Sequence, residues 1–236
     1  MPAATIREAI TTAMTDEAAS GESSGLDTLL KLQTWLSPAF PIGAFGYSHG
    51  LEAAIADGLL QTGVECEGWI ATLLQHGSGW NDLVLLAAAY RADASELAEI
   101  TELGLAMSGS AERRREAMDL GIAFAEASVP WGGGPSHAAT YPVAVGVLAC
   151  REGLPLAAVC AAFAHAFAAN LLSVCVRLVP LGQREAVAIL RRLEPVLEAV
   201  ARRAAASTLD DLGSAAILSE IQAMRHETLE TRLFRS

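Results

Sequence analysis

Charge is scarce in this chain. Only 18% of the 236 residues are charged, against 52% hydrophobic, so much of the polypeptide has to be buried or covered by a partner. Lysine is nearly missing: Lys31 is the only one among 16 basic residues, a coding bias with no functional content. The net charge of −11 excludes a nucleic-acid binder, which needs clustered Lys and Arg to displace counterions. Cysteine is limited to Cys66, Cys150, Cys160 and Cys175, with no CxxC pair. Each lies among Ala, Val and Leu or beside a single Glu or Arg, which reads as buried free thiols in a reducing, cytoplasmic compartment. Residues 1–24 lack the apolar core of a signal peptide. Sustained period-two alternation is missing, which argues against strands. GxxxxGK[ST], HExxH and G-x-S-x-G are also missing, so neither a nucleoside triphosphate site, a zinc protease nor a hydrolase elbow is indicated.

What is present is helical periodicity. A chain of this length can bury a large core without disulfides or metals. Residues 1–25 hold Glu8, Asp16, Glu17 and Glu22 against Arg7 and read as a mobile acidic tail. From residue 26 to 236 the pattern predicts an all-α, single-domain helical bundle of about nine to eleven helices. Asp27 or Thr28 is expected to cap the first, ending near Leu36 before the SPAFPIGAFG breaks. Helices follow from about Tyr47, Glu65 and Asn81, then after caps at Ser95 and Ser110. VPWGGGPSH at 129–137 is the clearest interior loop. Helices resume at YPVAVGVLAC and LPLAAVCAAF. The stripe Ala186, Ile189, Leu190, Leu193, Leu197 and Val200 comes next, with Pro195 expected to kink or divide it, and a last helix ends near Thr228.

Gly153 to Val176 carries no formal charge and is long enough to span a bilayer. Its eight alanines, His165 and Asn170 favour a helix buried at the centre of the bundle, with His165 satisfied in the core. His49, His76, His137, His165 and His226 are dispersed. His49 and His226 lie in more polar segments, where either could touch nickel transiently, and a metal carrier using His or Cys is the alternative function.

Two segments look built for a partner. In PIGAFGYSHGLE (41–52), Ile42, Phe45 and Tyr47 lie on a turn expected to be partly exposed, followed by Ser48, His49 and Glu52. In MRHETLETRLFRS (224–236), Arg225, His226, Glu227, Arg232, Leu233, Phe234 and Arg235 combine apolar anchors with groups that pair with carboxylates. The competing reading tucks Phe45 into the core and docks the end of the chain on its own bundle.

These two blocks stand in order with YPVAVGVLA (141–149), NLLSVCVRLVPLGQ (170–183) and DDLGSAA (210–216). Over residues 26–236 the chain resembles the UreF family of urease accessory proteins. Leu229-Glu230 departs from the Gln-Tyr common there. The resemblance implies an all-α homodimer with no catalytic residues and no stably held cofactor or metal. It further implies a complex with the accessory protein UreD (UreH) and the GTPase UreG, which delivers nickel to apo-urease and times GTP hydrolysis. Tyr47 and Arg232 carry over as interface-ordering contacts. Residues 224–236 are expected to become ordered only when the second accessory protein binds.

Overall fold

A computed structural model describes residues 25–135 and 138–236. The tail expected over residues 1–24 and the loop residues Ser136 and His137 lie outside the described residues. Helix α1 covers 25–35. It is followed by α2 (Leu51–Ala56), α3 (Gly63–His76), α4 (Ser78–Arg91), α5 (Leu97–Ala106) and α6 (Ala111–Ala127), then α7 (Tyr141–Arg151), α8 (Leu156–Leu178), α9 (Gln183–Ala205) and α10 (Ile217–His226). The fold is all-α, and no strand occurs among the described residues.

Helix α8 is the hub. Val159, Phe163, Leu171, Val174 and Cys175 are buried, and α2, α3, α4, α7 and α9 pack around it. Among the described residues α8 alone is long and apolar enough to cross a bilayer, and half of that stretch is buried inside the bundle. Helices α4 and α7 approach closely because Gly146 has no side chain: a Cβ there would lie 2.4 Å from the Leu86 carbonyl oxygen. Helix α9 turns Ile189, Leu193, Leu197 and Val200 inward, as the periodicity predicts.

Several boundaries differ from expectation for identifiable reasons. Asp27 is not a cap: it sits inside α1, and its carboxylate pairs with Lys31 at 2.7 Å. No helix starts at Tyr47, because Gly43, His49 and Gly50 all adopt positive φ and hold the chain in turns until Leu51. Helix α4 begins at Ser78, so the HGSGWND break shrinks to Gly77. Ser95 does not cap α5; its hydroxyl bonds Asp93 instead. Ser110 does cap α6, accepting from the Arg113 amide at 3.1 Å. Pro195 leaves α9 undivided, since it lies on the exposed face, where water can satisfy the carbonyl it fails to bond. Cys150 is exposed at the end of α7, whereas the other three thiols are buried. His165 is an exposed residue of α8, not a core histidine.

Candidate partner-binding site

Helix α6 repeats charge at one-turn spacing. Glu112, Glu116 and Asp119 share a face, with Arg113 beside them. In an isolated helix that stripe would be a solvated surface. Here it is covered by the two segments singled out in the sequence, residues 46–52 and 226–236, which meet across α6.

The first part of the cluster centres on Glu116, which is 1% exposed. Its Oε1 lies 2.5 Å from Arg113 Nη1 and 2.9 Å from His49 Nε2, and its Oε2 accepts from the Ser236 hydroxyl at 2.5 Å. Burial works to push this carboxyl up. The Arg113 charge, His49 and the Ser236 hydroxyl outweigh burial and hold it down to about 2. Burial and then the Arg113 charge push His49 below its ordinary value, against the pull of Glu116. His49 Nε2 faces both the Glu116 carboxylate at 2.9 Å and Arg113 Nη1 at 3.1 Å, and buried Nδ1 has no partner. Asp82 stands 3.9 Å from Arg113 at the edge of this group.

The second part centres on His226, which is fully buried. Its Nδ1 lies 2.6 Å from Glu112 Oε2 and its Nε2 lies 3.0 Å from Glu52 Oε2. Both ring nitrogens therefore face carboxylate oxygens. Glu52 also accepts from the Leu233 amide at 2.7 Å and the Phe234 amide at 3.0 Å. Arg232 pairs with the other oxygen of Glu112. The Ser48 amide donates to the Ser236 carbonyl at 2.6 Å, and the Arg235 amide to Gly46 at 2.8 Å. Phe234 drops into the main core with Arg177 over its ring at 5.6 Å. Outside these groups Arg225 pairs with Asp57 at 3.0 Å, and Glu227 accepts from the Ala111 amide at the start of α6 at 2.7 Å.

The turn that presents His49 is specified locally. His49 has φ +54 and Gly50 has φ +75, and a Cβ on Gly50 would lie 2.5 Å from the Ala223 amide nitrogen of α10. Glycine at 50 thus allows both the left-handed turn and the contact between α2 and α10.

Of the sequence-predicted site residues, Tyr47, Ser48, His49, Glu52, His226 and Phe234 are buried, and Ile42 is half-buried. Phe45, Arg225, Glu227, Arg232, Leu233 and Arg235 are exposed. Tyr47 points its hydroxyl at Asp119, 3.5 Å away, and burial, then Asp119, raise its pKa. The two segments form one internal latch, and residues 233–236 are seated on the chain's own bundle. Arg113 and Glu116, which organise the latch, were not singled out by sequence reasoning. Their one-turn spacing is visible in ERRRE, but a solvated helix face shows the same pattern.

Among the described residues, two apolar surfaces stand out. On α10, Ile217, Leu218, Ile221 and Met224 recur at helical spacing on one outward face, with Ile217 66% and Met224 49% exposed. Leu233, on the segment that follows, is 74% exposed. Between α1, the 37–45 loop and α8 runs a groove of about 800 Å³, walled by Leu29, Phe40, Ile42, Phe45, Ala162 and Phe167. No group of three or more His, Cys, Asp or Glu suited to a metal ion occurs among the described residues.

Comparison with known proteins bears on what these surfaces serve. The UreF family model matches residues 60–194. A urease accessory protein UreF of Agrobacterium fabrum is 50% identical over 223 residues, covering 90% of this chain and 98% of the relative. One from Rhizobium etli (strain CIAT 652) is 52% identical over 220 residues, covering 89% and 97%. A urease accessory protein UreF 1 of Brucella canis is 48% identical over 217 residues, covering 88% and 94%. With the family model matched over residues 60–194 and half-identical relatives aligned along nearly their whole length, this chain belongs to the UreF family of urease accessory proteins.

Proposed function

We propose that this chain is a non-enzymatic, cytoplasmic scaffold, working as a homodimer, that joins UreD (UreH) and the GTPase UreG for insertion of nickel into apo-urease and gates the GTPase. The observation that carries this reading is the outward apolar face of α10. It is presented on a rigid support, because the latch ties the helix and the segment after it to α2 and α6. An apolar helical stripe beside Arg225 and Arg232, each held in place by a carboxylate of this chain, offers a partner a wide apolar area with a basic rim. The carboxylates of Glu52, Glu112 and Glu116 are already occupied by this chain's own donors, which fits support better than turnover. On this reading nickel is handled by the assembly, and the ring nitrogens of His226 serve the latch by facing two carboxylates.

The test is co-purification of the chain with UreD and UreG, parent against an Ile221→Asp/Met224→Asp variant. The variant is expected to recover at most a tenth of the UreD, with its helicity unchanged by circular dichroism. Undiminished recovery would overturn the assignment of this face. Full nickel loading of urease in cells lacking the chain would overturn the function itself.

A further inference from the structure

Arg113 is shared between two carboxylates from different helices. Its Nη1 lies 2.5 Å from Glu116 on α6 and 3.1 Å from His49 Nε2. Its Nη2 lies 3.9 Å from Asp82 Oδ2 on α4, beyond hydrogen-bond reach. The seating of residues 232–236, the strap over α6, decides this competition. The Ser236 hydroxyl donates to Glu116, and the Ser236 carbonyl accepts from the Ser48 amide, one residue before His49. With the strap in place, Glu116 and His49 hold Arg113 away from Asp82.

Asp82 lines a cavity of about 50 Å³ with Thr140, Glu220 and Ala223, which has room for only a few water molecules. The charged and titratable groups around it are Arg113 and Glu116 of α6, Tyr141 of α7, Glu220 of α10 and His49 of the turn before α2. Arg113 alone among them carries a fixed positive charge. Burial pushes Asp82 up to about 6, whereas Glu116, closer to Arg113, is held down to about 2. Between those values Glu116 has the guanidinium to itself. Above about 6 both carboxylates are ionised, and only one has a close partner.

When the strap lifts, Glu116 loses the Ser236 hydroxyl and gains water, and Arg113 is free to turn toward Asp82. An open strap therefore suits an ionised Asp82, whereas a protonated one is indifferent. A carboxyl that ionises less readily in the closed form leaves closure intact in acid. Closure then weakens as pH rises toward about 6, by at most about tenfold per pH unit. The strap is not part of a helix, so it can open without unfolding the bundle.

We infer that Asp82 is a pH-sensitive release for the strap: ionised, it draws Arg113 from Glu116 and loosens residues 232–236, and protonated, it leaves them seated. The inference rests on the latch geometry and stands whichever protein meets α10.

Amide hydrogen exchange on the full chain tests it, at pH 5 and pH 7, with rates corrected for the intrinsic effect of pH. The reporters are the strap amides of Leu233, Phe234 and Arg235, bonded to Glu52 and Gly46. Their protection is expected to fall at least about fivefold between the two pH values, and to change less than about twofold in Asp82→Asn. Equal protection at both pH values in the parent would overturn the proposal. So would the same fall in Asp82→Asn, which would assign it to His226 between Glu112 and Glu52. The strap amides must also exchange faster than that of Val174 in the core of α8. Equal rates would mean that the strap is released only when the whole bundle unfolds, and would overturn the proposal as well.

Discussion

Helices α6 and α8 face the same interior with opposite chemistry. Helix α8 has no charge from Leu156 to Val176 and contributes a wide, non-directional apolar surface. Helix α6 contributes Glu112, Arg113 and Glu116, each aimed at a specific group. An apolar surface adapts to small changes, because its energy follows area. A buried ionic cluster does not, because removing one member strands the charges it was neutralising.

The sharpest way to break this contrast is Glu116→Ala. It leaves Arg113 without its close partner and Ser236 without its acceptor, and should cost about 3–5 kcal/mol in urea denaturation. A loss below 1 kcal/mol would mean that water had replaced the carboxylate and that the cluster is softer than its burial implies. Phe234→Ala should cost about 3–5 kcal/mol by emptying a core position, which separates the latch's apolar anchor from its polar one. Combining the two substitutions should give less than the sum, since both release the same segment.

Asp82 sharpens the comparison through pH. A fifth of its side chain remains accessible, and burial pushes its carboxyl up to about 6 despite Arg113. Unfolded, it ionises near its ordinary 3.8. The folded chain therefore loses stability as pH climbs between those two values, and the penalty is complete above about 6. Asp82→Asn should raise stability at pH 7 by about 1–3 kcal/mol and be nearly neutral at pH 4. Glu116 runs the other way: its contribution is present above its ordinary 4.5 and is lost as pH falls toward about 2. The smallest effect is expected on α8, where Ala162→Ser in the groove should stay within about 0.5 kcal/mol of the parent.

Helix type was legible in the sequence wherever one face is apolar and the ends carry ordinary signals, as with the Ser110 cap and the Leu193 stripe. It was less legible where the local signal competes with a tertiary one. Asp27 looks like a cap until Lys31 is placed beside it, and Pro195 looks like a break until its face is known to be exposed. His165 sits in an apolar run yet faces outward, because only half of α8 is covered. The two partner-like segments were legible as unusual composition and as family blocks. Nothing in either one shows that they bind each other. That relation depends on α6, whose charged stripe resembles any solvated helix until two loops from distant parts of the chain close over it.

The latch joins Ser48 to Ser236 across 188 positions. In a molecule built mainly from neighbouring helices, such a closure has a high entropic barrier and comes late. During synthesis the bundle can assemble around α8 while Glu116, Arg113 and His49 still face water, their covering strap not yet made. A chain in which the strap has not yet closed therefore presents α10 without its anchor. The finished face exists only after residues 232–236 have emerged and folded back.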